Sequence, residues 1–145
     1  MNIVLIGFTS SGKSATGKAL AAQLGIPFVD LDCRVEDSYF HETGERLSCR
    51  DLYIRIGDAD FGAYERTVMV QTTKHSELVV STGGKAPLRE GNAGILAAWG
   101  TIVYLKTSPE VVFRRMKEKG PPVYLADDFS VETVVEHWNS RSPLY

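Results

Sequence analysis

A chain of 145 residues is the size of one domain and can bury about two-thirds of the surface its unfolded form exposes, so one core and one principal site are expected. Its 16 basic and 18 acidic residues leave a net charge of -2 and are interspersed, without the basic stripe that neutralises a nucleic-acid backbone, so nucleic acid is not expected as a partner. The apolar run Ile3 to Ile6 is far shorter than the ~20 residues of a membrane span and has no basic segment before it, so no membrane association is expected and the chain reads as cytoplasmic.

Taken in chain order, the short continuous apolar run Ile3 to Ile6 suits a central parallel strand covered on both faces. Lys13 to Leu24 carries Ala15, Ala19, Leu20, Ala21 and Leu24 at helical spacing and ends at Gly25 and Pro27. Phe28 to Asp32 reads as a second strand, followed by helical stretches around Arg34 to Glu42, Ser48 to Ile56 and Ala59 to Thr73. Ser48 with Asp51 forms a possible capping box. Leu78 to Ser81 is a third strand, Arg89 to Trp99 a helix, and Thr101 to Lys106 a fourth strand rich in β-branched and aromatic residues. Ser108 and Pro109 open a helix that Gly120 stops, and Val131 to Ser140 resumes helical periodicity. Strands alternating with helices specify an α/β fold with a parallel sheet and right-handed crossovers. Cys33 and Cys49 lack zinc spacing and read as reduced thiols. His41, His75 and His137 share no spacing and read as ordinary surface residues. Trp99 and Trp138 fall at apolar helix positions and read as core.

The stretch Gly7-Phe8-Thr9-Ser10-Ser11-Gly12-Lys13-Ser14 lies between the first strand and first helix. In the form G-x-x-x-x-G-K-[ST] the glycines let consecutive backbone N–H groups point inward, Lys13 supplies a cation for the outer phosphates and Ser14 can ligate magnesium. The positive end of the following helix, from Lys13 through Ala15, adds to this. ATP or GTP with Mg²⁺ is therefore the expected ligand. Ligands of open parallel sheets lie beyond the carboxyl ends of the strands. There, the second strand delivers Asp30 and Asp32, two apart on an extended chain and so on one face. Such a pair beside a phosphate loop serves to hold a metal through water and to orient or deprotonate a hydroxyl; helix capping is the competing role for both. The third strand delivers Gly83, Gly84 and Lys85, with no aspartate for the metal, which leaves that task to Asp30.

This arrangement resembles the shikimate kinases, small P-loop enzymes of the nucleoside-monophosphate-kinase group. The match runs in order over nearly the whole chain: GFTSSGKS, VDLD, a helix with Phe61 and Glu65, STGGKA, Arg114-Arg115 before a lid, and Arg141-Ser142-Pro143-Leu144-Tyr145, an R-x-P-L-Y signature. The resemblance implies one P-loop kinase domain over 1–145, a three-layer α/β/α P-loop NTPase with strand order 2-3-1-4-5. It would have substrate-binding helices about 33–73 and a lid about 117–128. It implies transfer of the γ-phosphoryl of ATP to the 3-hydroxyl of shikimate by a monomer acting on a small molecule. Lys13 and Asp32 become the catalytic residues. Gly7, Ser10, Ser11, Gly12, Lys13, Ser14 and Ala15 hold the phosphates, Arg115 lies near the adenine, and Ser14 with Asp30 serves the metal. Phe61, Glu65, Gly83, Gly84 and Arg141 join Asp32 around shikimate, with Arg141 on its carboxylate.

The chain departs from the pattern at three places. The family has an arginine on the substrate carboxylate immediately after the phenylalanine, and this chain has Gly62. Its third loop glycine is Lys85, a cation placed to substitute. The lid arginine falls at Pro121, with Arg55, Arg66 and Lys119 as candidate replacements. The fifth strand of the family order is expected to be missing, because the sequence reaches Tyr145 before it. Two alternatives follow: a kinase for a different small hydroxy acid, or a nucleotide-binding homologue without transfer activity. A nucleoside-monophosphate kinase is a third, for which R-x-P-L-Y has no role.

Overall fold

The computed structural model describes residues 1–145. Four parallel strands, β1 (Ile3–Ile6), β2 (Phe28–Asp30), β3 (Val79–Ser81) and β4 (Thr101–Tyr104), form one sheet in the order β2-β3-β1-β4. Val4 of β1 is in register with Val80 of β3 and Ile102 of β4. All four residues of β1 are buried, as its unbroken apolar run requires of a strand covered on both faces.

On one face lies α1 (Lys13–Leu24). It approaches closely because Gly17 has no side chain: a Cβ there would stand 2.4 Å from Phe28 Cε2 and 3.1 Å from Leu5 Cδ1. On the other face α2 (Leu31–Thr43) and α3 (Cys49–Thr72) build the main core, in which Val35, Tyr39, Leu52, Phe61, Val68 and Met69 pack with Val4, Ile6 and Val80. The helix α4 (Asn92–Trp99) adds Leu96 to that core. A second cluster joins Phe8 to α5 (Pro109–Lys119) and α6 (Val131–Arg141) through Val112, Met116, Leu125 and Val134. No helix is long and apolar enough to cross a membrane.

Local structure differs from the sequence expectation in three places that matter for the site. First, β2 ends at Asp30, whose side chain caps α2 by accepting from the Asp32 N–H at 3.0 Å; Asp32 therefore lies in the first turn of a helix, not on a strand. Second, the two helices expected over 48–73 run on as α3, broken only at Gly57 with φ +83°, a left-handed conformation that glycine alone adopts without strain. The Ser48–Asp51 capping box opens α3 as expected, with Ser48 Oγ accepting from the Asp51 N–H at 3.1 Å. Third, the helix expected from Arg89 begins only at Asn92. Pro87 lies in a short 3-10 turn (Ala86–Leu88), Gly91 stands at φ +77°, and Arg89 between them is extended. Cys33 and Cys49 are both free thiols, and Trp99 and Trp138 are half-buried, each spending its ring N–H on a carbonyl, of His75 and Thr107 respectively.

Candidate active site

The phosphate loop follows β1 directly. Gly7 stands at φ +147°, where a Cβ would lie 2.7 Å from the Leu105 carbonyl oxygen, and Gly12 at φ +95°. Both positions demand glycine. Ser10 is left-handed at φ +62°, strain of the kind that collects at ligand sites. The loop is clamped from the β4–α5 side: Thr107 Oγ1 donates to the Ser11 carbonyl at 2.9 Å and Arg115 to the Ser10 carbonyl at 3.2 Å. Arg115 thus joins the loop through its guanidinium. Lys13 is buried and folds over the loop, donating to the carbonyls of Gly7 and Phe8 at 2.8 Å each and to Ser11 Oγ at 3.4 Å. Burial lowers its ammonium to about 8, against the pull of Asp32 and Asp30. A phosphate bound here would favour the charged ammonium.

Ser14 and Asp30 meet: Ser14 Oγ donates to Asp30 Oδ2 at 2.6 Å, with Ser81 Oγ 3.5 Å away. Hydroxyl and carboxylate oxygens together suit a hard cation such as Mg²⁺, which takes few protein ligands and completes its shell with waters and phosphate oxygens. Asp30 thus caps α2 and faces Ser14 at once.

Two cavities converge on Asp32. One, about 250 Å³, is lined by Thr9 to Ala15 of the phosphate loop and α1, with Thr82, Gly84 and Lys119. The other, about 330 Å³, is lined by Phe61, Glu65, Gly83, Lys85, Arg89 and residues of the 120–124 segment. Thr9, Asp32, Gly84 and Lys119 belong to both. Burial, followed by the charges of Asp30 and Glu65 and opposed by Lys13, pushes the Asp32 carboxyl up to about 7, the range suited to proton transfer near neutrality. Gly83 permits this packing, since a Cβ there would lie 2.8 Å from Asp32 Oδ1 and 3.0 Å from Glu65 Oε1. At Gly84 a Cβ would lie 2.5 Å from Thr9 Oγ1.

Phe61 is buried against Tyr53, their rings edge to face at 5.4 Å. Glu65, also buried, accepts from Arg89 Nε at 2.7 Å; burial raises its carboxyl and Arg89 opposes that rise. Lys85 lines the second cavity with its Nζ 3.0 Å from Asp58 Oδ1. Arg141 stands behind the wall, its guanidinium stacked 4.3 Å over the Tyr124 ring and 5.4 Å from that of Phe8. It is buried, and its Nη1 has no hydrogen-bond partner, an orphan donor that an anion would satisfy. The rest of the R-x-P-L-Y element anchors this corner: Ser142 Oγ is 2.9 Å from the Tyr104 hydroxyl, and the Tyr145 hydroxyl donates to the Gly84 carbonyl. Of the cations considered for the lid, Arg55 pairs with Glu45 at 3.0 Å and Arg66 with Asn92 Oδ1 at 2.9 Å. Only Lys119 among the three lines the cavities. Sequence reasoning missed Arg89 and Tyr124; the Pro87 and Gly91 that flank Arg89 were the available signal that it does not begin a helix.

A phosphate loop after the first strand of a parallel sheet, with a carboxylate between it and a polar cavity, defines a P-loop phosphotransferase that uses ATP and a small acceptor bearing a hydroxyl. The shikimate kinase family model matches residues 9–145. The shikimate kinase of Bacteroides thetaiotaomicron is 31% identical over 149 residues, spanning 100% of this chain and 82% of the relative; that of Paracidovorax citrulli is 35% identical, spanning 100% and 77%. The chain belongs to the shikimate kinase family. The crystal structure of the Bacteroides thetaiotaomicron enzyme superposes with a TM-score of 0.85 over 99% of this chain and 80% of that one. That of the Acinetobacter baumannii shikimate kinase in complex with shikimate does so at 0.85 and 29% identity, over 99% and 77%. A gluconokinase from Sinorhizobium meliloti, at a TM-score of 0.54 and 21% identity, shares the fold.

Proposed function

We propose that this chain transfers the γ-phosphoryl of ATP to the 3-hydroxyl of shikimate. The observation that carries the reading is the junction of the two cavities at Asp32, which leaves a carboxyl of pKa about 7 between a phosphate loop and an acceptor pocket. The backbone N–H groups from Ser10 to Ala15 and the Lys13 ammonium hold the β- and γ-phosphates, and Arg115 reaches the adenosine side. Ser14 and Asp30 would hold Mg²⁺, which supplies neutralisation of phosphate charge. Asp32 accepts the proton of the acceptor hydroxyl as its oxygen bonds to the γ-phosphorus. The bond from that phosphorus to the bridging oxygen breaks, and ADP leaves with the electron pair. Phe61 and the Gly83 and Gly84 backbone shape the pocket, Glu65 and Lys85 line it, and Arg141, behind Tyr124, offers its unpaired donor to the substrate carboxylate once Tyr124 moves aside. Residues 33–73 serve as the acceptor-binding helices and 117–128 as the lid, with Lys119 supplying the lid's positive charge.

A coupled ADP-release assay with ATP and Mg²⁺ tests this. Shikimate-dependent turnover that exceeds turnover with quinate and sugar acids is expected. Turnover with another hydroxy acid and none with shikimate would replace the acceptor, and ATP binding with no turnover on any of them would remove the transfer reaction.

A further inference from the structure

The acceptor cavity is lined by four cations, Arg50, Lys85, Arg89 and Lys119, against two carboxylates, Asp32 and Glu65, so it favours an acceptor that brings negative charge. Among the four, Arg89 is the most firmly aimed. Its Nε donates to Glu65 at 2.7 Å, and its Nη1 and Nη2 donate to the two oxygens of Asp58 at 3.0 Å each. Three of five guanidinium hydrogens are thereby spent, leaving one on each terminal nitrogen. The group is held over Gly62: a Cβ at that position would lie 2.8 Å from Arg89 Cζ and Nη1 and 3.0 Å from Nε. A side chain at 62 would therefore push the Arg89 guanidinium out of this position.

We propose that Arg89 binds the acceptor's carboxylate, entering the pocket from the loop after β3 through the space that Gly62 leaves open. Lys85, the other cation of that loop, shares Asp58 Oδ1 with Arg89 Nη2, its Nζ 5.7 and 5.9 Å from the ring centroids of Tyr53 and Tyr124. Asp58 ties both cations together and is held well below the usual carboxylate range by its hydrogen bonds from Arg89 and Lys85. The assignment rests on the reading of the acceptor as shikimate.

The test measures binding of shikimate and of its uncharged methyl ester by calorimetry in three proteins: wild type, Arg89→Met and Gly62→Ala. Loss of one charge-assisted contact should weaken shikimate binding about ten- to a hundredfold in Arg89→Met, with the ester changed less than threefold. Gly62→Ala, a benign helix substitution apart from its methyl against the guanidinium, should weaken the acid severalfold and spare the ester; it carries the test should Arg89→Met fold poorly. The double variant Gly62→Arg with Arg89→Met should regain at least tenfold over Arg89→Met alone. Acid and ester weakened alike, or an unchanged acid, would overturn the assignment of Arg89 while leaving shikimate as acceptor. No binding of shikimate to the wild type would overturn the acceptor itself and this assignment with it.

Discussion

Replacing Asp32 by Asn should stabilise the ligand-free protein while disabling it. The folded carboxyl titrates at about 7, raised first by burial and then by Asp30 and Glu65, whereas an unfolded Asp titrates near 3.9. Between those values the folded chain keeps a proton that the unfolded chain has released. The stability contributed by Asp32 is thus fully present below about pH 4 and is lost as the pH rises to 7. About three units at ~1.4 kcal/mol each set a ceiling near 4 kcal/mol, and exposure of the carboxyl to its cavity reduces this to about 1–2 kcal/mol. Asn carries no such dependence. In chelator without nucleotide, wild type and Asp32→Asn should melt close together at pH 4.5. At pH 8 the variant should melt roughly 2–8 °C higher, at 2–4 °C per kcal/mol for a chain of this size. Its turnover should fall about 10²- to 10⁴-fold. Calorimetric melts showing the same difference at both pH values, or a less stable variant at pH 8, would refute the electrostatic account of this residue.

Gly83→Ala brings a methyl to 2.8 Å from Asp32 Oδ1 and should reduce kcat/KM for the acceptor about ten- to a hundredfold, with ATP affinity by fluorescence titration unchanged. Lys119→Met should lower kcat by about tenfold to a thousandfold if its charge supports transfer, with Lys119→Arg retaining most activity; steady-state kinetics with an unaffected kcat would remove it from the reaction. Gly17→Ala places a methyl 2.4 Å from the Phe28 ring and should cost about 1–3 kcal/mol, read as a lower melting temperature with KM values unaltered.

The phosphate loop was legible because its function constrains spacing along a single strand–loop–helix unit, and the structure keeps each residue of it together. Strand β1 and helices α1, α5 and α6 were legible to within a residue or so, since apolar period and Gly, Pro or Ser stops agree there. Asp32 was assigned its chemistry from the wrong element: the change from strand to helix at Leu31 depends on the Asp30 side chain capping α2, a local choice that β-propensity at Phe28 and Val29 obscures. Gly62 looked like a loss because a contact across 27 residues, from Arg89, leaves no trace in spacing. The role of Tyr145 on the Gly84 carbonyl was hidden for the same reason.

The origin of Arg89 bears on how the enzyme would move. A cation at position 62 would ride on α3, so that any rocking of the acceptor-binding helices would carry it along. Arg89 instead projects from the turn after β3, two residues beyond a buried proline, and β3 is the strand that pairs with β1 ahead of the phosphate loop. Donor and acceptor charges would then be aligned by one sheet. Its links to Asp58 and Glu65 join that turn to the part of α3 that follows the break at Gly57: an arriving carboxylate that competes with Asp58 for the guanidinium would loosen the first turn of the helix beyond that break, coupling occupancy of the pocket to the freedom of α3 there.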